Sequence, residues 1–475
     1  MAQNIVLVFD CGATNIRVIA IDDTGSIVAK SDTPNSTKSC SENSEWHIWS
    51  LEDILQRFET CCNNINEIIS TYKVKGITVT TFGVDGALTN TEGELIYPII
   101  SWKCPRTQKI MDNIGKYLSP NELQLISGVG HFSFNTIYKL IWLKEHEPEK
   151  LTQAHAWLFI SSLINYRLTG IMTTDRTMAG TSQLFDLKAE KFSHHILDKI
   201  GIPPTLFPPI VAAGEKIGTL LPEMARKLHL PNDIPIFSAG HDTQFALFGS
   251  GAQLNQPVLS SGTWEVLMVR TEQVDTTILP SYKGSTCELD AKTNLYNPGL
   301  QWLASGILEW IRSLFWKDLK KPEVYASMIE EALDVPPGCG GLNFDSNILT
   351  MNGGWLGASL NSTRGYFYRS VLEKLSLQLN DNLKTLEKIA NFKATELVLV
   401  GGGSNNILWN QIKADMLNLP IKVPKQSEIT VLGAACFAWY GLGLCETAEL
   451  VRNRFNYTYL YYYPGSQQPC YSKIF

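Results

Sequence analysis

Ile5-Val-Leu-Val-Phe-Asp-Cys-Gly-Ala-Thr-Asn-Ile-Arg17 is the stretch whose reading decides the fold. Its apolar run has the pattern of a buried strand and ends on a carboxylate, Asp10. A Gly/Thr/Asn turn follows, and residues 16–21 return as a second apolar run toward Asp22-Asp23-Thr24-Gly25. Strand, polar turn, strand is a hairpin whose tip offers one carboxylate, one hydroxyl and several backbone amides. Gly12 lets a ligand come close to the backbone, and the amides with the Thr14 hydroxyl suit phosphate oxygens. Asp10 suits a magnesium ion held through water, because that ion keeps much of its hydration shell. Taken alone, the stretch reads equally well as an ordinary hairpin with a polar tip.

Working outward, Pro257-Val-Leu-Ser-Ser-Gly-Thr-Trp-Glu-Val-Leu-Met-Val269 repeats the pattern, with a Ser/Gly/Thr tip at residues 261–263. Two such hairpins predict a duplicated architecture, one phosphate-cradling turn per half, facing each other across a cleft. A third turn, Gly401-Gly402-Gly403-Ser404-Asn405-Asn406, follows the strand-like 397–400 and precedes a helical pattern. Strand, glycines, helix admits a flat ring or a phosphate against bare backbone. It is not the dinucleotide fingerprint, since Asn406 stands at the last glycine position, and no GxxxxGK[ST] occurs in the chain.

The motif at 10–17, Gly262-Thr263 and the 401–406 turn resemble the ATP-binding elements of the FGGY family of sugar kinases. The resemblance runs the full length. It includes Thr80-Thr-Phe-Gly-Val-Asp-Gly86, Ser101-Trp-Lys-Cys-Pro-Arg106, Phe134-Asn-Thr-Ile-Tyr-Lys139 and Gly240-His-Asp-Thr-Gln244. It implies an α/β, two-domain actin-like/Hsp70-like ATPase (ribonuclease H-like) fold with ATP and sugar in the interdomain cleft. Residues 1–245 would form the sugar-binding domain with the first phosphate hairpin, and 246–475 the nucleotide-binding domain. ATP contacts carried over are Asp10, Gly12, Thr14, Asn15, Arg17, Gly262, Thr263, Gly401, Gly402, Gly403 and Asn406. Ser305 stands where a rhamnulose kinase carries a glutamine that contacts nucleotide, so that contact is not carried over. The implied cofactor is Mg2+, or another divalent cation, with ATP as co-substrate.

Asp242 is the candidate catalytic base: a carboxylate at the end of an apolar strand, between Gly240 and Thr243. Its task would be to take the proton of a sugar hydroxyl as that oxygen attacks the γ-phosphorus, worth roughly 10²–10⁴-fold. The alternative is a strand-end aspartate capping the next helix. Sugars are held by hydrogen bonds and by aromatic faces against C–H surfaces. The resemblance implies Gly83, Asp85, Trp102, Asn135, His241, Thr243 and Asn297 for this role. Trp102 reads equally as a core indole or a sugar platform, and Arg106 as a surface ion pair ahead of a substrate contact. L-fuculose, phosphorylated at O1, is the acceptor that the likeness implies; L-rhamnulose, L-xylulose and D-ribulose are the alternatives. A more remote alternative is an ATPase of the same fold without a sugar substrate, but no peptide-binding appendage accompanies these motifs.

Bulk properties agree. A net charge of −6 without a Lys/Arg run argues against nucleic acid as a partner. The N-terminus lacks the pattern of a signal peptide, and the strands are too short to span a bilayer, so no membrane partner and a cytoplasmic location are expected. Monomer and homodimer are both compatible. The ten cysteines show no CxxC pair or metal spacing and read as free, small apolar side chains. Periodicity predicts helices over 51–70, 136–144, 155–168 and 366–389, and strands over 76–82 and 234–239. A surface connector is expected over 201–222, an interdomain boundary near 244–256, and a terminal strand or extended tail over 457–463.

Overall fold

The computed structural model describes residues 3–320, 323–347 and 353–474. The chain packs into two compact units. The first comprises Met1–Gly251, Thr276–Asn297 and Ser427–Asn456; the second comprises Ala252–Asp275, Pro298–Gln426 and Tyr457–Phe475.

The first unit is built on six strands: β1 (Asn4–Cys11), β2 (Asn15–Asp22), β3 (Ile27–Pro34), β4 (Lys73–Thr81), β5 (Lys216–Thr219) and β6 (Pro235–His241). Their order is β5-β6-β4-β1-β2-β3. β1 pairs antiparallel with β2 and parallel with β4, and β4 pairs parallel with β6. Apart from exposed Asn4, β1 is buried throughout, which is why its sequence is nearly continuous in apolar residues. The helix Leu51–Ile69 covers β2 and β3 with one face: Leu51, Ile54, Phe58, Cys61, Cys62, Ile65 and Ile69 are buried. Ser50 caps it by accepting from Asp53 N–H, and Phe58 stacks on Phe9 with ring centroids 4.9 Å apart.

The second unit carries β7 (Val258–Ser261), β8 (Trp264–Met268), β9 (Tyr296–Leu303, in this unit from Pro298), β10 (Leu397–Val400), β11 (Ile421–Pro424) and β12 (Tyr459–Tyr462). They run in the order β9-β8-β7-β10-β11-β12. β7 is antiparallel to β8 and parallel to β10, and β10 is parallel to β11. This is the strand order and orientation of the first sheet, so the duplication expected from two hairpins is present in the topology. The helices Arg364–Ile389 and Ile407–Leu417 pack together, joined by Trp409 Nε1 donating to Ser376 Oγ at 3.1 Å.

Two expectations are corrected. Residues 155–168 are not one helix but the strand Ala156–Phe159 followed by the helix Ile160–Thr169. Side chains buried on nearly every side leave no polar face to reveal the change of period. The 201–222 segment is not only a connector, because its residues Lys216–Thr219 form the edge strand β5. Residues 457–463 do end in a strand, β12, antiparallel to β11. All ten cysteines are free, and eight of them are buried.

Candidate active site

In the first hairpin Asp10 faces Arg17 in register across β1 and β2. Arg17 donates to Asp10 Oδ2 from Nε (2.8 Å) and from Nη2, and its Nη1 donates to Glu428 at 2.5 Å. Burial pushes the Asp10 carboxyl up to about 6; Arg17 opposes this, while Asp242 and Glu428 add to it. Gly12 is required by the tight turn, since a Cβ there would lie 2.8 Å from the Asn15 carbonyl oxygen. Thr14 and Asn15 are exposed at the tip.

β6 ends in His241, and Asp242 opens the helix Asp242–Gly249. The Asp242 side chain is about a third exposed (32 %) and lies 3.6 Å, Oδ1 to Nε2, from His241. It is the first residue of the helix, so the expected alternative of a capping aspartate does not hold: His241 occupies the N-cap and no side chain caps there. Thr243 Oγ1 donates to Asp242 Oδ1 at 3.3 Å. Burial raises the Asp242 carboxyl, opposed first by His241 and more weakly by Thr243 and Arg17. The strand end is anchored from behind: His241 N–H donates to Thr177 Oγ1 (2.9 Å), which donates to Asp175 (2.8 Å).

Beside β6, Gly83 leaves room for the imidazole, since a Cβ would sit 2.6 Å from His241 Nε2. Val84 next to it has φ 64°, a strained setting for a β-branched residue, worth about 1–3 kcal/mol. Its carbonyl is held by Thr136 Oγ1 (2.8 Å) and Lys139 Nζ (2.9 Å). Lys139 also donates to Asp85 Oδ1 at 2.6 Å, and both side chains are fully buried. Burial drives Lys139 down and Asp85 up, and each charge opposes the other's shift. Asp85 Oδ2 accepts from Trp49 Nε1 (2.7 Å) and Trp102 N–H (3.0 Å).

The sequence-predicted sugar residues therefore divide. Asp85 is saturated inside the protein and sets the backbone of Trp102. Trp102 itself is 37 % exposed, which excludes the core-indole reading. Asn135 is buried and donates to the Gly130 carbonyl. Asn297 is buried and donates to Gln244, while its Oδ1 has no partner among the described residues. His241 and Thr243 stand beside Asp242. Arg106 is not a surface ion pair: it is 6 % exposed, with its guanidinium 4.1 Å from the Trp46 ring centre and 4.9 Å from that of Trp142.

In the second unit the tip of β7 and β8 exposes Thr263, with Gly262 half-buried. The Thr263 carbonyl accepts from the amides of Ala304 and Gly306, and that of Gly262 from Ser305. Gly401 (φ 87°) and Gly402 are exposed, and a Cβ on Gly401 would meet the Ser261 carbonyl oxygen at 2.6 Å. Asn406 caps the helix Ile407–Leu417 by accepting from Trp409 N–H, and donates to Tyr368. Its side chain thus shapes the glycine turn. Beneath the tip, Glu265 accepts from Ser261 Oγ (3.0 Å) and Lys413 Nζ (2.7 Å), with Lys413 and Glu265 both fully buried.

Among the described residues no cluster of three or more His, Cys, Asp or Glu could enclose a metal. Asp10 is already paired with Arg17, and a hard cation that keeps its waters would fit beside it only through water.

Comparison with known proteins follows this geometry. Residues 5–249 match the N-terminal domain of the FGGY family of carbohydrate kinases, and residues 258–442 its C-terminal domain. The chain belongs to the FGGY family of carbohydrate kinases. It is 58 % identical to the L-fuculokinase of Escherichia coli strain K12 over 98 % of both chains. It is 44 % identical to that of Haemophilus influenzae, over 97 % of this chain and all of the other. A crystal structure of gluconate kinase from Lactobacillus acidophilus superposes with a TM-score of 0.89 at 22 % identity, covering 100 % of this chain and 96 % of that one. The fold is the two-domain actin-like ATPase fold that the sequence implied.

Proposed function

We propose that this protein transfers the γ-phosphoryl group of ATP to O1 of L-fuculose, giving L-fuculose 1-phosphate and ADP, a step in L-fucose degradation. The observation that carries the chemistry is Asp242, an accessible carboxylate at the end of β6 with His241 and Thr243 beside it. The choice of ketose rests on near-full-length similarity to L-fuculokinases.

The Asp242 carboxylate takes the proton from the O1 hydroxyl. The new O1–Pγ bond forms as the bond from Pγ to the bridging oxygen breaks, and ADP leaves with that electron pair. Such a transfer asks the protein chiefly for positioning and charge neutralisation. Arg17 and the tip amides of residues 10–17 hold phosphate oxygens in the first unit. Gly262, Thr263 and the 401–403 glycines do so, with the adenosine, in the second. Residues 1–245 then carry the first phosphate hairpin and most of the sugar site, with Asn297 added from beyond them, and 246–475 most of the nucleotide site. Asp10 would hold a divalent cation through water, and the cation would supply charge for the phosphate oxygens. Trp102 offers its indole face to the sugar, and Gly83, His241, Thr243 and Asn297 supply its polar surroundings; Asp85 and Asn135 shape that surface from within.

No helix among the described residues is long and apolar enough to cross a membrane, and we place the reaction in the cytoplasm. The test is ADP release with Mg-ATP against L-fuculose, L-rhamnulose, L-xylulose, D-ribulose and glycerol. The highest kcat/KM is expected for L-fuculose, with some activity on a five-carbon analogue, because a missing methyl is worth only about 1–3 kcal/mol. Preference for another ketose would overturn the substrate, and sugar-independent ADP release would overturn the kinase reading.

A further inference from the structure

Glu288 lies in the strand Ser285–Leu289, within the first unit. Its carboxylate is buried, and Oε2 meets two groups: Gln244 Nε2 at 2.7 Å and His241 Nδ1 at 3.2 Å. Gln244 in turn accepts from Asn297 Nδ2 at 2.5 Å through Oε1. One carboxylate, outside every motif singled out in the sequence, thereby fixes two of the side chains assigned to the sugar.

We infer that Glu288 is a positioning residue of the transfer reaction: it aims His241 Nε2 at the Asp242 carboxylate and, through Gln244, sets the Asn297 amide. The inference rests on the reading of Asp242 as the base. A carboxylate at Nδ1 demands an N–H there, which fixes the ring's orientation and leaves Nε2 facing Asp242 and Gly83. The groups facing His241 are Glu288, Asp242 and Asp175, all acidic; together they outweigh burial and raise the imidazole above its ordinary range. Facing Asp242 are His241, Arg17 and the Thr243 hydroxyl and N–H, with Asp10 on β1 adding negative charge. A charged His241 therefore favours the ionised base. Removing the charge of Glu288 lets His241 lose its proton at lower pH, and Asp242 then keeps its own proton to higher pH.

The experiment uses the full-length chain as wild type, Glu288→Gln and Glu288→Asp. The titration of His241 in the nucleotide-free enzyme is followed by imidazole NMR, assigned with His241→Asn. Its midpoint is expected to fall by about one pH unit or more in Glu288→Gln and to stay near wild type in Glu288→Asp. In kinetics, kcat/KM for the ketose should fall about 10–100-fold in Glu288→Gln, with its acid limb moved to higher pH and KM for Mg-ATP within about twofold. Glu288→Asp should recover part of the loss. A His241 midpoint and pH profile in Glu288→Gln that coincide with wild type would overturn the inference. So would a Glu288→Asp enzyme with the His241 midpoint of an uncharged site, which decides the matter if Glu288→Gln does not fold. A chain that prefers another ketose but shows the same His241 shift corrects the substrate and upholds Glu288. Should no ketose be phosphorylated, the NMR titration alone upholds or overturns the contact.

Discussion

At the tip of the first hairpin, Asp10 is held by an arginine that is itself about a third exposed (31 %). Beneath the tip of the second, Glu265 is held by Lys413, and neither has any exposure. Six strands of the second sheet repeat the order of the first, so the difference at the tips belongs to the side chains and not to the topology. The first tip buries its carboxylate but leaves the guanidinium that pairs with it within reach of solvent. The second neutralises its carboxylate internally and presents hydroxyl and amide groups alone. The duplicated scaffold thus carries two hairpins of different electrostatic character.

The largest effect that sharpens this contrast is expected at Asp242, the proposed base, which lies outside both turns. Asp242→Asn should lower kcat by roughly 10²–10⁴-fold while ATP binding, measured by calorimetry, stays near wild type. Near-full turnover would remove Asp242 as base. Next comes the buried pair of the second unit. Lys413→Met leaves Glu265 buried and uncompensated and should destabilise the protein by about 3–5 kcal/mol in urea denaturation. Glu265→Gln combined with Lys413→Met should lose far less; equal losses would mean that the two charges are not coupled.

The smallest effect is a pH dependence confined to the first turn. With its carboxyl near 6, Asp10 is protonated below that pH and ionised above it, and only the ionised form attracts a cation. Affinity for Mg-ATP should therefore rise with pH through about 6, by up to tenfold per unit, in the wild type and not in Asp10→Asn. An identical rise in Asp10→Asn would assign the titration to another group.

Much of this was legible in the chain. The hairpins announce themselves because an apolar run must stop where a polar tip begins, and the Asp242 motif because a carboxylate closes a buried strand. What the sequence hides is the partnering of buried charge. Lys139 lies between Tyr138 and Leu140, and Lys413 follows Ile412, where a lysine reads as the polar face of a helix. Only the fold reveals that each meets a carboxylate brought from another element, Asp85 or Glu265. Arg106 misled for a similar reason, since besides Cys104 and Tyr97 nearby it meets the rings of Trp46 and Trp142, far away in sequence. Glu288 carried no local signal at all. Its meaning comes from His241 and Gln244, more than forty residues earlier in the chain.

The segment Ser427–Asn456 belongs to the first unit, although the second unit lies between it and the rest in sequence. From this segment Trp439 Nε1 donates to the Asp22 carbonyl at the end of β2, Arg452 to the Phe248 carbonyl, and Glu428 accepts from Arg17. On the ribosome, the unit that carries Asp10 and Asp242 has to wait, incomplete, until residue 456 has emerged. The two family halves are for this reason poor candidates for separate expression, and a cut near residue 426 would strip support from the hairpin of residues 4–22, some four hundred positions earlier.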